Sequence, residues 1–384
     1  MPGIHRRALL NVLLIGILLL PAWVTQEPIR YFQAPALSLK PDTVLAYTVD
    51  FKDDVDNDTL FQNRSKEGYP VSYFRRIKTS VCFDNKCRLV DITLYWNVTG
   101  RYLGFELPKG EFLSKTEHEP FTPVEYARLN ELLADPFSPL ANFSYEELVP
   151  KSASAGAGVD AVSSATAKNV LEYVVEGAVY TTYKLWHLIY GPARQEVVSL
   201  TEQRLSPGFL LKILESPDAS DKIWALNHIR GYVDLTPELR KTVLSFIDNN
   251  QFNRAERAIN ALEPKALRSD TLQLALLEKY VRVNYALKNQ LILKLKEAPR
   301  LNDQLKTALA RSLASANGEL LSNTLDLFQH HRVADPETGR IIAGLLQNDN
   351  NFLARKAFTY LKNVKIEDRI VEKQLNAYRL KHNL

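Results

Sequence analysis

One short stretch of the chain combines the residue types needed to hold an anionic group. Residues 160–166 read DAVSSAT and precede a run of apolar residues at helical spacing. Thr166 offers a hydroxyl that can carry a phosphoester, and Ser163 or Ser164 can serve as the N-cap of a following helix. The first turn of a helix has free N–H groups and the positive end of the helix dipole, so it favours a phosphate. The small side chain of Ala165 leaves room for such a group to approach.

The two cysteines of the chain, Cys82 and Cys87, are a second candidate for chemistry. Between them, residues 84–86 (DNK) are typical of a turn, so the two thiols are expected to face each other across a hairpin. In an oxidising compartment this arrangement favours a structural disulfide. A redox-active pair is less favoured, because four intervening residues do not place one thiol at a helix N-terminus as a C-x-x-C motif does.

The remaining polar residues do not predict a metal or a catalytic site. His118 lies between two glutamates and is interpreted as a histidine in a surface ion pair. His330 and His331 lie at a predicted helix end, where a positive charge suits the helix dipole. The sequence has no C-x-x-C-H motif, which excludes the usual covalent haem attachment, and no nucleophile arrangement or phosphate-binding loop.

The N-terminus predicts export. Arg6 and Arg7 are followed by an almost entirely apolar run over residues 8–20, the layout of a secretory signal. An uncleaved membrane anchor is the alternative, because residues 22–24 (AWV) form a poor cleavage site and the apolar run, counted to Val24, is close to the ~17-residue minimum for a spanning helix. Across the whole chain, 48 basic against 44 acidic residues give a net charge of +4, which argues against nucleic acid as a partner.

The first half of the chain alternates strand and helix signals. Strands are predicted over residues 43–51, 71–77, 88–96 and 101–107, with residues 97–100 as a turn that places Gly100 where a positive φ is favourable. Thr122 and Glu125 form a capping box that starts a helix ending near residue 134. A long helix is predicted from Ser164 to the stop at Gly191 and Pro192.

From about residue 196 onward, strand signals disappear and short amphipathic helices follow one another. Ser206, Thr236 and Asp335 each precede a proline, the pattern of an N-cap followed by the first helical residue. Asp/Asn-rich turns at 214–218 and 246–252 are about 33 residues apart, a spacing typical of helix pairs in an α-solenoid. The repeats resemble HEAT-type repeats, and an irregular helical bundle is the alternative.

Residues 160–166 also resemble a family motif. In FMN-binding domains, the attachment motif is Asp, Gly or Ala, any residue, Ser or Thr, Gly, Ala, then Ser or Thr. These domains occur in flavin-carrying subunits of sodium-pumping NADH:quinone oxidoreductase and related membrane redox complexes. The resemblance implies that a flavin transferase joins the FMN phosphate to Thr166 through a phosphoester, and that Asp160 is needed for this modification. Ser164 stands where the family has Gly, a departure that bears on the modification itself.

The resemblance covers roughly residues 70–190 and implies a fold and a function. We expect an α+β FMN-binding-like domain over residues 28–192, after a signal peptide or anchor at 1–27, and an all-α domain of HEAT-like repeats over 193–384. Tyr173 and Tyr180, with the aromatic hairpin of residues 94–105, are expected to cover the isoalloxazine ring. The protein would be an electron carrier in the periplasm or tethered to the outer face of the cytoplasmic membrane, and its repeats would dock a redox partner.

A binding or scaffold protein is the alternative. In that interpretation Thr166 carries no flavin and the helical repeats bind a partner protein. Two features distinguish these interpretations: whether Thr166 is modified, and the presence of Ser164 where the family has Gly.

Overall fold

Strands come first and helices follow, so the chain has the α+β layout expected from its sequence. The computed structural model describes residues 27–53, 55, 57–81, 88–115, 118–148 and 170–384. No helix in those ranges is long and apolar enough to cross a membrane. The predicted N-terminal signal, both cysteines and residues 160–166 lie outside the described residues.

The strands form one antiparallel sheet of six strands in the order β1-β6-β5-β4-β3-β2. They are β1 Ile29–Phe32, β2 Thr43–Thr48, β3 Thr59–Arg64, β4 Pro70–Thr79, β5 Val90–Asn97 and β6 Tyr102–Leu107. The four strands expected from the sequence correspond to β2, β4, β5 and β6, whereas β1 and β3 were not predicted. The turn between β5 and β6 is confirmed, with Gly100 at a φ of +76°.

Apolar and more polar side chains alternate along the central strands, so that one face of the sheet is buried. Ile92, Leu94 and Trp96 of β5 are fully buried on the face that packs against helices, opposite Ile77 and Tyr73 of β4. β4 and β5 pair without a register shift from Ser72↔Asn97 to Thr79↔Val90.

β1 lies unusually close to β6 because of one glycine. Gly104 faces Phe32 of β1 and has a φ of +157°. A Cβ atom there would lie 2.3 Å from the Tyr31 carbonyl oxygen and 2.7 Å from the Phe32 ring. Any other residue would therefore push β1 away from the sheet.

The helices that cover the sheet are α1 Pro123–Leu133, α2 Tyr145–Leu148 and α3 Val179–Tyr190. The capping box predicted at the start of α1 is confirmed: the Thr122 hydroxyl accepts from Glu125 N, and the Glu125 carboxylate accepts from Thr122 N. The expected stop after α3 is also confirmed, because α3 ends at Tyr190 and Pro192 begins the next helix.

The continuous helix predicted from Ser164 to Gly191 is wrong for its described part. Residues 170–178 contain only a short 3₁₀ turn, Leu171–Tyr173, and α3 begins at Val179. Gly177 has a φ of +73°, which a right-handed helix does not allow. The apolar residues read as one helical face instead enter the core from an irregular segment.

The rest of the described chain is helical. Its helices are α4 Pro192–Glu202, α5 Pro207–Leu214, α6 Ala219–Asn227, α7 Pro237–Ser245, α8 Phe252–Asn260, α9 Asp270–Arg282, α10 Tyr285–Leu295, α11 Asp303–Ser312, α12 Gly318–His330, α13 Pro336–Gly344, α14 Asn351–Val364 and α15 Arg369–His382. From α6 to α14, each even-numbered helix packs on the next even-numbered one. The odd-numbered helices α9, α11, α13 and α15 do the same among themselves, as do α5 and α7.

The helix starts have a constant spacing. The N-cap residues of α6, α8, α10, α12 and α14 lie 33 residues apart: Asp218, Gln251, Asn284, Asn317 and Asn350. The odd-numbered helices from α7 onward follow the same step: Thr236, Ser269, Asn302, Asp335 and Asp368. The N-caps predicted at Ser206, Thr236 and Asp335 are confirmed.

Side-chain amides join successive helix pairs: Gln273 is buried, whereas Asn249 is exposed. The Gln273 side chain donates to the carbonyl oxygens of Leu267 and Arg300, and its own oxygen accepts from Asn302 N at 2.7 Å. Asn249 bonds the chain at Asn284 in a similar way, with its side-chain oxygen accepting from Asn284 N at 2.8 Å. These bonds fix each pair to the next through otherwise unpaired backbone groups.

Candidate functional site

The predicted attachment residues lie outside the described residues. They are Asp160, Ser163, Ser164, Ala165 and Thr166, all within residues 149–169. The chain on both sides of that segment is buried: Leu148 and Val170 are each 0% exposed. The two described residues that flank the candidate segment therefore belong to the same apolar core.

Two hydrogen bonds fix the chain after this segment. The Arg128 guanidinium of α1 donates from Nη2 to the Glu172 carbonyl oxygen at 2.7 Å. Val175 N donates to the Thr182 hydroxyl of α3 at 3.2 Å. The irregular residues 170–178 are thus fastened between α1 and α3.

Aromatic side chains of α3 hold the loop that leads to the segment. Four of them bond main-chain carbonyl oxygens of residues 133–143: Tyr183 to Phe143 at 2.9 Å, Trp186 to Asp135 at 2.9 Å, His187 to Leu140 at 3.3 Å and Tyr190 to Leu133 at 2.9 Å. Burial lowers the pKa of His187 and raises that of Tyr190. Because a carbonyl can only accept, His187 is held as the neutral tautomer protonated on Nε2.

The aromatic hairpin expected to cover a flavin is part of the core. Trp96, Tyr102 and Phe105 are at most 1% exposed. Trp96 Nε1 donates to the Ile189 carbonyl oxygen at 2.9 Å, which joins the sheet to α3. Tyr173 and Tyr180 are half-buried near the candidate segment.

A buried carboxylate joins the sheet to the helices. Asp221 of α6 is 0% exposed. It accepts from Arg101 Nη2 at 2.7 Å and Nε at 3.1 Å, and from the Thr99 hydroxyl at 2.6 Å. The Ser216 hydroxyl donates to it at 2.8 Å. Every one of these donors is satisfied by a single carboxylate at the junction.

The same junction is close-packed around Gly100. A Cβ atom there would lie 2.7 Å from Val198 Cγ2 and 3.2 Å from Arg194 Cγ, both on α4. Nearby, the Tyr73 hydroxyl bonds the Thr201 hydroxyl of α4 at 3.0 Å and accepts from Gln62 Nε2 at 2.7 Å. The helices are therefore locked onto the sheet by polar and steric contacts together.

Sequence reasoning missed the buried ion pairs. Arg75 on β4 is fully buried, bonds both oxygens of Asp53 at 2.5 and 3.0 Å, and lies 3.9 Å above the Phe51 ring. Arg75 occupies a position of β4 whose side chain faces the buried side of the sheet, and this alternation is the sequence pattern that could have identified it. Asp221 gave no such signal, because its partners Thr99 and Arg101 lie some 120 residues away along the chain.

A basic cleft lies between α7 and the start of α9. It has a volume of about 450 Å³ and is lined by Asp234, Leu235, Arg240, Lys265, Ala266, Arg268 and Ser269. Lys265 already pairs with Asp234 at 3.0 Å and with Glu263 at 3.2 Å. The two arginines are the side chains that can meet an acidic group of a partner.

Metal chemistry finds no support in the described part of the chain. No group of three or more His, Cys, Asp or Glu side chains there is placed to hold a metal ion. His331 donates from Nε2 to the Leu295 carbonyl oxygen at 3.1 Å, and burial lowers its pKa. It is a structural histidine near the end of α12.

Comparisons with known proteins found no relative. No protein-family model, no curated protein and no solved structure matches the chain.

Proposed function

We propose that the protein is an exported flavoprotein that carries FMN as a phosphoester on Thr166 and acts as an electron carrier. The observation that supports this most is the motif at residues 160–166, and the described residues that flank its segment, Leu148 and Val170, are both buried. Export to the periplasm, with or without a retained N-terminal anchor, fits the compartment in which such a modification occurs.

The short chain between Thr166 and the buried Val170 restricts where the flavin lies. Thr166 precedes the buried Val170 by four residues, so its Cα lies within about 14 Å of the Val170 Cα. Arg128 contacts the chain two residues beyond Val170 and is the cation that we propose to meet the phosphate. Helix α3 starts too late to provide the N–H donors expected next to Thr166.

An isoalloxazine on Thr166 supplies one- and two-electron transfer. The protein itself holds the flavin in position. Residues 149–169 end on Leu148 and Val170, and the α3 aromatics keep the adjoining loop in place. A covalent link prevents loss of the cofactor from an exported protein.

The helical part is proposed to be an α-solenoid of HEAT-like repeats that docks the redox partner. The constant 33-residue step of the N-caps and the packing of alternate helices support this interpretation. The Asp221 network would hold the repeats at a fixed orientation to the flavin-bearing segment.

Covalent flavin fluorescence in a denaturing gel tests the proposal. The full chain is exported from cells that also produce a bacterial flavin transferase. We expect a fluorescent band for the wild type and for Thr166→Ser, which keeps a hydroxyl, and none for Thr166→Ala. A dark wild-type band beside a fluorescent control flavoprotein from the same cells would overturn the proposal.

A second candidate is a scaffold protein without flavin. It is favoured by Ser164, which stands at the glycine position of the motif, and by the basic cleft with Arg240 and Arg268. An array of acidic peptides tests this candidate. Binding by the wild type that is lost in the double variant Arg240→Glu/Arg268→Glu would support it, and equal binding by both proteins would contradict it.

A further inference from the structure

The two edges of the sheet are protected very differently. β1 is four residues long and carries Arg30, whose guanidinium pairs with Glu106 at 2.8 Å. The Tyr31 hydroxyl donates to the Pro123 carbonyl oxygen at the start of α1. Shortness, charge and a covering helix are the usual means of blocking an edge strand.

β2, at the opposite edge, has none of these features. Its sequence, TVLAYT, contains no charge and no proline, and five of its six residues are exposed. Val44 is 54% exposed and Leu45 is 36% exposed. Among the described strands and helices, β2 has its main contacts with β3. An uncharged, extended edge of this kind is a template for another strand.

The hydrogen-bonding direction of β2 can be worked out from its end. Val49 N donates to the Asp58 carbonyl oxygen of the neighbouring chain segment. Because successive residues of a strand point their N–H and C=O groups to opposite sides, Leu45 and Tyr47 also face β3. The N–H and C=O groups of Val44 and Ala46 therefore point away from the sheet.

We propose that β2 pairs antiparallel with β2 of a second copy of this chain, across a twofold axis. Residues with outward N–H and C=O groups must face each other, which leaves two central registers. In the first, Val44 faces Ala46 of the second copy and Leu45 faces its own equivalent. In the second, Ala46 faces its own equivalent and Val44 faces Thr48.

The flanking charges select the first register. It places Lys40 of one copy opposite Asp50 of the other, twice across the axis, and these charges have opposite signs. The second register places Asp42 opposite Asp50 and Lys40 opposite Lys52, so charges of like sign meet. A second copy fits this edge because the strand and its flanks are complementary to themselves.

Sedimentation of the full exported chain at concentrations from about 1 to about 200 μM tests the pairing. The contact is smaller than the ~1,600 Å² of a standard interface, so we expect a dimer that dissociates on dilution. Ala46→Pro is expected to be a monomer at all concentrations, and its melting temperature is expected to equal that of the wild type at dilutions where the wild type is also a monomer. The reason is that the N–H that proline removes points away from β3. A monomeric wild type over the whole range would overturn the proposal.

Two further variants test the register. Leu45→Cys is expected to form a disulfide between two copies, identified by mass spectrometry as two identical peptides joined through position 45, whereas Ala46→Cys is not. Lys40→Glu is expected to weaken the dimer about tenfold, and addition of Asp50→Lys to restore it. Cross-linking through position 46 alone, or a dimer unaffected by Ala46→Pro, would refute this arrangement.

Discussion

Replacement of Asp221 by alanine is expected to loosen the junction between the sheet and the helices. The carboxylate is fully buried and is shared by Arg101, Thr99 and Ser216. Alanine leaves the guanidinium and two hydroxyls without their acceptor. The variant thus removes one partner of a buried ion pair and retains the other.

The size of the effect follows from the surroundings of Arg101. Removal of one partner from a buried pair costs about 3–5 kcal/mol. The Arg101 side chain is 19% exposed, lies 3.5 Å from Asp218 and also donates to the Ala34 carbonyl oxygen. Water and these neighbours partly compensate the charge of Arg101 when Asp221 is removed. We therefore expect the free energy of unfolding to fall by about 3 kcal/mol, near the lower end of that range. Asp218→Ser is the matched control: it keeps an N-cap on α6 and removes the longer contact with Arg101 together with the exposed bond from the Ser220 hydroxyl. It is expected to cost less than about 1 kcal/mol.

Denaturant unfolding followed by two signals measures this effect. With Trp224 of α6 replaced by phenylalanine in every protein compared, fluorescence reports mainly Trp96 and Trp186 beside the sheet. Circular dichroism at 222 nm reports mainly the helices. We expect the two transitions to separate in Asp221→Ala more than in the wild type, because the junction no longer couples the two parts. A double-mutant cycle with Arg101→Ala is expected to give a coupling energy of about 2 kcal/mol or more. A loss below about 1 kcal/mol with superimposed transitions would refute the account of the junction.

Three further predictions concern the stability of the fold. Burial raises the pKa of Tyr73 to about 12, so the folded protein keeps a proton that the unfolded chain releases above pH 10. The associated stability is complete below pH 10 and decreases by roughly 2–3 kcal/mol up to pH 12, and Tyr73→Phe is expected to remove that part of the decrease in urea titrations. If Cys82 and Cys87 are joined in the exported protein, the intact mass is two hydrogens below that of the reduced chain, and Cys82→Ser with Cys87→Ser costs about 2 kcal/mol by loop-closure entropy. Gln251 is the one N-cap of the five even-numbered repeat helices whose side chain makes no capping bond; Gln251→Asn is expected to stabilise the protein by about 0.5–1 kcal/mol in thermal unfolding.

Each of these predictions has a contrary result. A pH dependence identical in the wild type and Tyr73→Phe would mean that burial of this phenol does not control stability at high pH. Two free thiols in the exported protein would exclude the disulfide. A destabilising Gln251→Asn would mean that α8 does not start as the other repeat helices do.

Local signals in the sequence predicted the parts of the fold that local chemistry decides. The Thr122–Glu125 capping box and the N-caps at Ser206 and Thr236 depend only on residues within one helical turn, and they are formed as expected. The continuous helix predicted from Ser164 to Gly191 is wrong over residues 170–178, because Gly177 interrupts an apolar spacing that otherwise suits a helix.

Contacts distant in sequence could not be predicted in this way. Asp221 resembles any first-turn acid of a helix until the β5–β6 turn is placed beside it. Gly104 and the short strand β1 were missed for the same reason, because the close approach of Tyr31 and Phe32 becomes visible only when the sheet is assembled. The candidate site is proposed from the residue types of its motif and from the burial of the residues that flank its segment. It is tested by measuring whether Thr166 is chemically modified.

The most direct test of the flavoprotein account is the mass of the exported protein and of its peptide that contains Thr166, after co-production with a flavin transferase. The account predicts an increase equal to one FMN less one water, located on Thr166, absent in Thr166→Ala, and more complete in Ser164→Gly. An unmodified mass for both the wild type and Ser164→Gly, beside a modified control flavoprotein from the same cells, would contradict it.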